Sequence, residues 1–235
     1  MYYVYDMLKV LVLGQGKLGQ EIINQTGWDY LSRSKDNIDV SDFDSWSNKL
    51  DGYDVILNCI ANTNTYSDDH KLIAEVNFKF VLDLVHECNK RLIKLVHIST
   101  DYVYANSRDN AKETDQELPD RNHYSLTKYY ADNYIKMFSN NYLICRLSHK
   151  PKPFPYDSAW TNVITNADYT DTISSLVIEL IRKDGKGLYN VGTDQKTIYE
   201  LAKQTNPNVK ESMAPTHIPK NVTMDLTKMK EFLNK

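Results

Sequence analysis

The stretch Lys9-Val10-Leu11-Val12-Leu13-Gly14-Gln15-Gly16-Lys17-Leu18-Gly19-Gln20-Glu21-Ile22-Ile23 decides the fold. It runs directly from an apolar, strand-like segment through three glycines into a helix-like pattern. A GxGxxG match gains meaning in that setting, because its mechanism requires a strand before it and a helix after it. Gly14 permits the tight turn, Gly16 lets backbone approach a pyrophosphate, and Gly19 lets the helix pack on the strand. The pyrophosphate would rest on the helix N-terminus, so Gly14, Gln15, Gly16, Lys17, Leu18 and Gly19 form a candidate dinucleotide-binding turn.

Outward from this turn, Trp28-Asp29-Tyr30-Leu31 reads as a short second strand ending at Ser32-Arg33-Ser34. In a dinucleotide fold, a carboxylate roughly 20 residues past the first glycine holds the ribose 2′-OH of NAD, whereas an arginine accommodates the 2′-phosphate of NADP. Arg33 and Ser34 occupy that place, which predicts NADPH with NADH as the alternative. Asp39 is placed to meet an adenine amino group, with Val40 beside it. Ser41 or Asp42 is positioned to cap a helix running to Leu50. Asp54 to Ala61 is a buried-strand pattern whose small end, Cys59-Ile60-Ala61, lets the chain pass close to a nucleotide. From Asp68 to Asn89, Leu72, Val76, Phe80, Leu84 and Cys88 recur at helical spacing, a stripe interrupted by Asn77. Arg91 to Ser99 restores strand character. Strands therefore alternate with helices four times, which predicts an α/β fold built on a Rossmann-like, doubly wound parallel sheet.

The fourth strand leads into Ser99-Thr100-Asp101-Tyr102-Val103-Tyr104, a polar loop, and then Tyr124-Ser125-Leu126-Thr127-Lys128. If the second segment is helical, the four-residue step stacks the Tyr124 phenol and the Lys128 ammonium on one face. A phenol with a pKa near ~10 is a sluggish acid at neutral pH, and a neighbouring ammonium would lower that value. Thr100, at the C-terminal end of its strand, could orient a substrate oxygen. Together Thr100, Tyr124 and Lys128 form a candidate proton-transfer triad, and reduction of a carbonyl would need a hydride donor bound elsewhere.

Tyr142 to Leu147 is a further strand, after which Pro151, Pro153 and Pro155 preclude regular structure. The expected division is residues 1–147 as the dinucleotide-binding domain and residues 148–235 as a small substrate-binding part, interleaved into one compact unit. Asp168 to Asp171 is expected to cap a helix reaching Arg182, Gly187 to Asn190 reads as a short strand, Thr197 and Glu200 have capping-box spacing, and a short helix is expected near Asp225 to Leu233. The first residues, Met1 to Asp6, lack the basic and apolar regions of a signal peptide and read as an extension before the first strand.

At 235 residues, with a formal charge of −3 and a pI near 6.1, the chain offers no basic footprint for nucleic acid. No apolar run approaches a membrane span. A cytoplasmic protein acting on a small molecule is the expectation, and a homodimer is compatible with it. Cys59, Cys88 and Cys145 show neither disulfide nor zinc spacing and read as core thiols, so no metal is expected. His97, in an apolar strand, reads as a hydrogen-bonded core residue.

These motifs resemble the extended short-chain dehydrogenase/reductases, and within them the dTDP-4-dehydrorhamnose reductases. Asn58-Cys59-Ile60-Ala61 stands where the family has an NAAA strand end, Ser99 to Tyr104 resembles STDYVF, and Tyr124/Lys128 matches YxxxK. Gly187-Leu188-Tyr189-Asn190 resembles GxYxx. The resemblance implies a nucleotide-sugar substrate, reduced at the C4 ketone of a 4-keto-6-deoxyhexose in deoxysugar synthesis such as that of rhamnose. It also implies that Tyr124 and Lys128 contact the cofactor and that Asp101 and Tyr102 face the sugar. Arg146-Leu147-Ser148-His149 stands where the reductases commonly read RTSW, so His149 would replace an aromatic sugar platform, and the sugar pocket is expected to be shallower. Rival readings within the fold are a nucleotide-sugar epimerase or a 4,6-dehydratase, although the dehydratases carry Thr-Asp-Glu where this chain has Thr100-Asp101-Tyr102. A rival from another class is a non-catalytic, NADP-binding regulatory subunit, which has no chemical need for all three triad residues.

Overall fold

A computed structural model describes residues 8–65 and 67–235. The extension expected before the first strand lies outside the described residues. Six strands form one sheet: β1 (Val10–Leu13), β2 (Asp29–Leu31), β3 (Val55–Asn58), β4 (Lys94–Thr100), β5 (Tyr142–Leu147) and β6 (Gly187–Asn190). Their order is β6-β5-β4-β3-β1-β2 and every pairing is parallel. The chain leaves β1 toward β2, then returns to place β3 on the other side of β1. The crevice at the C-terminal ends of β1 and β3 is thus the point where the winding reverses, the place where open α/β sheets bind ligands.

Side chains alternate across β1, and the alternation sorts them into two cores. Val10 and Val12 join α1 (Lys17–Thr26) and the inward residues Ile173, Val177 and Ile181 of a helix discussed below. Leu11 and Leu13 face the opposite layer. That layer is a long helix, α2, made of His70–Ala74, Glu75–Lys79 and Phe80–Arg91, together with α3 (His123–Phe138). The doubly wound arrangement read from the sequence is the arrangement found. Asn77 interrupts the apolar stripe of α2 because its turn, Glu75–Lys79, is π-helical. The inserted residue rotates the stripe and carries Asn77 into the interior, where it is buried.

Residues beyond Leu147 serve two structures. The helix α4 (Thr170–Arg182) and strand β6 complete the main sheet layer, while Phe154, Val163, Tyr169, Ile198, Leu201 and Ile218 belong to a separate small core. That core is closed by α5 (Ile198–Lys203), whose Thr197–Glu200 capping box is formed as its spacing predicts. The terminal helix α6 (Thr227–Leu233) packs Met229 and Phe232 on the main core.

Three local expectations are corrected. The helix expected to reach Leu50 is instead two 3-10 turns, Phe43–Ser45 and Ser47–Leu50. Phe43 and Trp46 are three residues apart, and the edge-on contact of their rings at 5.2 Å follows a three-residue repeat rather than an α-helical one. Asp168 does not cap α4: Tyr169 occupies the cap position without a side-chain bond, and Asp168 instead pairs with Lys196 at 3.2 Å. Cys88 and Cys145 are buried thiols as expected, but Cys59 is only partly buried, because it stands at the crevice.

Candidate active site

The glycine turn is shaped by two close approaches and one opening. Gly14 has φ +96°, and a Cβ there would lie 2.8 Å from the Ile60 side chain. At Gly19 a Cβ would sit 2.1 Å from the Gly14 carbonyl oxygen, so α1 can approach β1 only without a side chain. At Gly16 nothing lies within 4 Å, which leaves the helix N-terminus open above the backbone. Those are the properties a bound pyrophosphate requires, and the turn therefore fits a dinucleotide.

In front of the turn is a cleft of about 480 Å³. Gly14, Gln15 and Gly16 line one wall, Arg33, Asp39 and Val40 another, and Cys59, Ile60 and Ala61 a third. Lys17, Leu18 and Gly19 do not line it: Leu18 and Gly19 are turned into the fold by α1, where both are buried. Arg33 is exposed in the first position of a short helix, Arg33–Asp36, capped by Ser32. The Asp39 carboxylate accepts hydrogen bonds from the Ser41 hydroxyl at 2.7 Å and the Ser41 backbone N–H at 3.0 Å, which hold its pKa below the ordinary value. Leu72, Glu75 and Val76 of α2 also line it; sequence reading had placed Leu72 and Val76 only on an apolar stripe and had not singled out Glu75.

The triad residues arrive from β4 and α3. Asn122 caps α3 by accepting from the Ser125 N–H at 2.8 Å, which starts the helix just before Tyr124 and stacks Tyr124 over Lys128. Thr100 ends β4. Its hydroxyl accepts from the Tyr102 N–H at 3.2 Å, lies 3.2 Å from an Asp101 carboxylate oxygen, and is close enough to the Tyr124 phenol to favour its ionised form. Burial pushes the Tyr124 phenol up to about 12, reinforced by the charges of Asp101 and Asp132 and opposed by the Thr100 hydroxyl. This corrects the expected lowering by Lys128. The Lys128 amine is directed into the protein, 2.8 Å from His97 Nε2, and donates to the Ile98 carbonyl at 2.5 Å. It is 1 % exposed, and burial brings it down to about 8.

On the far side of Thr100, four charged or titratable residues converge. Asp101 is buried, and desolvation raises its carboxyl to about 7 against the opposing pull of Lys150. Lys150 is itself lowered by burial, with Lys17 as a like charge nearby. His149 is half-buried in a short strand, His149–Lys150, that pairs with Asp168–Tyr169. Its Nδ1 lies 3.1 Å from the Thr170 hydroxyl, and burial together with Lys150 and Lys17 brings it down to about 4. Tyr102 lies partly buried in the 3-10 turn Asp101–Tyr104.

Sequence reading missed two groups. Asn77 accepts from the Asn62 N–H at 2.7 Å and donates to the Asn62 carbonyl at 3.0 Å, pinning the loop after β3 beside the cleft. The only sign of this was its polar interruption of an apolar stripe. His97 and Asn58 meet across the β3–β4 pairing, where they are in register, and extend the polar chain inward from Lys128. His97 was expected to be a hydrogen-bonded core residue and is one; that its partner is Lys128, 31 positions away, has no local signature.

Among known proteins, the family model described as "RmlD substrate binding domain" matches residues 8–150, more than half of the chain. The dTDP-4-dehydrorhamnose reductase of Mycolicibacterium smegmatis is 26% identical over 175 residues, covering 72% of this chain and 50% of that protein. The ADP-L-glycero-D-manno-heptose-6-epimerase of Brachyspira hyodysenteriae is 26% identical over 114 residues, covering 48% of this chain and 35% of that one. The chain thus spans between 35% and 50% of the length of these curated relatives. The crystal structure of a dTDP-4-dehydrorhamnose reductase from Bacillus anthracis in complex with NADP superposes with a TM-score of 0.79 at 20% identity, covering 96% of this chain and 92% of that one, a likeness of fold. With the match over residues 8–150, the chain belongs to the RmlD substrate binding domain family, the extended short-chain dehydrogenase/reductases that its motifs resemble.

Proposed function

We propose that the chain reduces the C4 ketone of a nucleotide-linked 4-keto-6-deoxyhexose, with NADPH as the preferred donor and NADH as the secondary one. The observation that carries the reading is the Thr100–Tyr124 pair at the C-terminal end of β4, on the same edge of the sheet as the glycine-lined cleft. Cys59 links the two, lining the cleft while its thiol faces Lys128. The dinucleotide, when bound, supplies a hydride to the carbonyl carbon. The residues that would hold it are Gly14, Gln15 and Gly16 at the pyrophosphate, Arg33 at a 2′-phosphate, and Asp39 with Val40 toward the adenine. Its nicotinamide end would lie toward Tyr124 and Lys128.

The chain itself supplies the proton. Thr100 holds the substrate oxygen beside the phenol, and Tyr124 transfers its proton to that oxygen as the C–H bond forms, leaving an alcohol and a phenolate that solvent reprotonates. A phenol pushed up to about 12 keeps its proton at neutral pH but is a weaker acid than a free phenol, so it would release that proton only as negative charge develops on the substrate oxygen. Asp101, Tyr102 and His149 would border the sugar, with the small core around Phe154 and Ile198 as the outer wall.

Dinucleotide oxidation by the purified chain, followed with a panel of nucleotide-linked 4-keto-6-deoxyhexoses, tests this reading. The expected result is substrate-dependent loss of NADPH and a 4-hydroxy sugar as product. Isomerised sugar without net oxidation of NADPH would favour an epimerase instead. Dinucleotide binding without turnover of any sugar would favour a regulatory, non-catalytic role.

A further inference from the structure

The hydroxyl of Thr100 has one proton and two lone pairs to place. One lone pair accepts the Tyr102 N–H at 3.2 Å. Also 3.2 Å away is Asp101 Oδ1, part of a side chain in a residue only 2 % exposed. The second oxygen of that carboxyl, Oδ2, faces the Thr165 hydroxyl at 3.5 Å. Thr165 belongs to a strand, Ile164–Thr165, that pairs with Lys196–Thr197, and its hydroxyl already accepts the Ala167 N–H at 3.0 Å, which leaves its proton for Asp101. Oδ2 is thereby taken as an acceptor. A proton bound to Asp101 therefore resides on Oδ1, against Thr100.

The two states of this carboxyl turn Thr100 in opposite directions. A carboxylate can only accept, so it takes the Thr100 proton and leaves a lone pair toward the substrate, which a ketone oxygen, itself acceptor-only, cannot use. A carboxylic acid instead donates from Oδ1 to the second lone pair of Thr100. The Thr100 proton is then free to meet a ketone oxygen. We propose that Asp101 is a positioning residue acting through Thr100: as the acid it makes Thr100 a donor to a ketone, and as the carboxylate it makes Thr100 an acceptor suited to an alcohol.

Enclosure favours the acid, and desolvation brings the carboxyl to about 7, where both states are populated near neutral pH. The groups that oppose burial are Lys150, from the strand His149–Lys150, the hydroxyls of Thr100 and Thr165, and the backbone N–H of Asp101 itself. From α3, the Tyr124 phenol responds to the same carboxyl: raised chiefly by burial, it is raised further by the Asp101 charge. Ionisation of Asp101 thus makes Tyr124 a weaker acid at the moment it turns the Thr100 proton away. The inference rests on reading Thr100 as the residue that holds the substrate oxygen, and its first test needs no turnover.

In the full-length protein, infrared difference spectra against Asp101→Asn should show the carbonyl band of a protonated carboxyl that disappears as pH rises, with a midpoint of about 7. Thr165→Val removes the donor to Oδ2 and should move that midpoint up by about 0.5 unit or more. In turnover, kcat/KM for the ketone should fall about 10-fold between about pH 6 and pH 8. Asp101→Asn should abolish that fall, because Asn accepts Thr165 through Oδ1 and donates to Thr100 through Nδ2, a fixed likeness of the acid. At about pH 8 this variant should therefore outpace the unaltered protein several-fold. A band with its midpoint in the ordinary carboxylate range, or a fall that persists in Asp101→Asn, overturns the proposal. Should Asp101→Asn not fold, the band is assigned by its shift in Thr165→Val, and an unmoved band overturns the proposal equally. A sugar panel without turnover, with the band and its shift present, would reject the proposed activity and uphold the Asp101–Thr100 arrangement.

Discussion

The two halves of the candidate site are built from opposite materials. The cleft between β1 and β3 is made by leaving side chains out: Gly14 and Gly19 have no room for a Cβ, and Gly16 keeps a helix end open. The region behind Tyr124 is made by packing polar side chains in, with Lys128, His97, Asn58, Asp132 and Arg146 all buried. A ligand that is a polyanion can be gripped by backbone N–H groups, whose geometry no titration alters. A proton must be handled by groups whose pKa values burial can move. One half therefore binds at any pH the fold tolerates, whereas the other is sensitive to pH.

That contrast can be broken from either side. The largest effect concerns Asp101, whose carboxyl is raised to about 7 by burial. Because the folded value exceeds the unfolded one, the native state binds more protons between about pH 4 and pH 7, so stability is highest at the acid end of that window and falls as pH rises through it. The cost is on the order of a few kcal/mol, and Asp101→Asn should flatten the fall. Denaturant midpoints measured across that range check the point, and parallel curves for the two proteins would remove Asp101 from the account. On the cleft side, Gly19→Ala puts a Cβ 2.1 Å from the Gly14 carbonyl and should destabilise the protein by about 3 kcal/mol, read by urea unfolding. An unchanged midpoint would mean that α1 need not approach β1 so closely.

Smaller effects sharpen the division of labour. Tyr124→Phe should lower reductase turnover about 10²-fold or more while NADPH binding is kept; near-normal turnover would reassign the proton donor. Arg33→Ala should weaken NADPH about 10-fold and NADH far less, since only NADPH carries a 2′-phosphate to lose. Equal losses measured by calorimetry would make Arg33 a bystander. His149→Ala, the mildest, should raise KM for the nucleotide sugar about 3-fold with NADPH binding intact. A change in NADPH affinity instead would move His149 out of the sugar pocket.

The same contrast governs what the sequence disclosed. Glycines that shape a strand–turn–helix act on neighbours in the chain, so the cleft was legible down to Gly14, Gly16 and Gly19, whereas the sorting of Val10 and Val12 from Leu11 and Leu13 was not, because all four are apolar. The triad spacing on α3 was legible for the same reason as the glycines. What Lys128 touches was not, because His97 comes from another strand and Asn58 from a third, and only their register brings them together. The direction of the Tyr124 shift was misjudged because a four-residue helical step was taken for an electrostatic contact, whereas the amine points inward to β4. Gly187 to Asn190 read as a strand, but its place beside β5 depends on a crossover that no local pattern encodes.

Arg146 has a further consequence. Its guanidinium, fully enclosed in β5, is held by Asp132 from α3, by Glu117 from the loop before that helix, and by the hydroxyl of Tyr104. An enclosed guanidinium tolerates the loss of these partners poorly. The loop around Glu117 is therefore no independent flap: peeling it away uncovers a charge at the centre of the sheet, so its opening carries much of the penalty of opening the domain. That loop melts and forms together with the sheet as one cooperative unit, and mobility in this molecule has to be sought elsewhere along its rim.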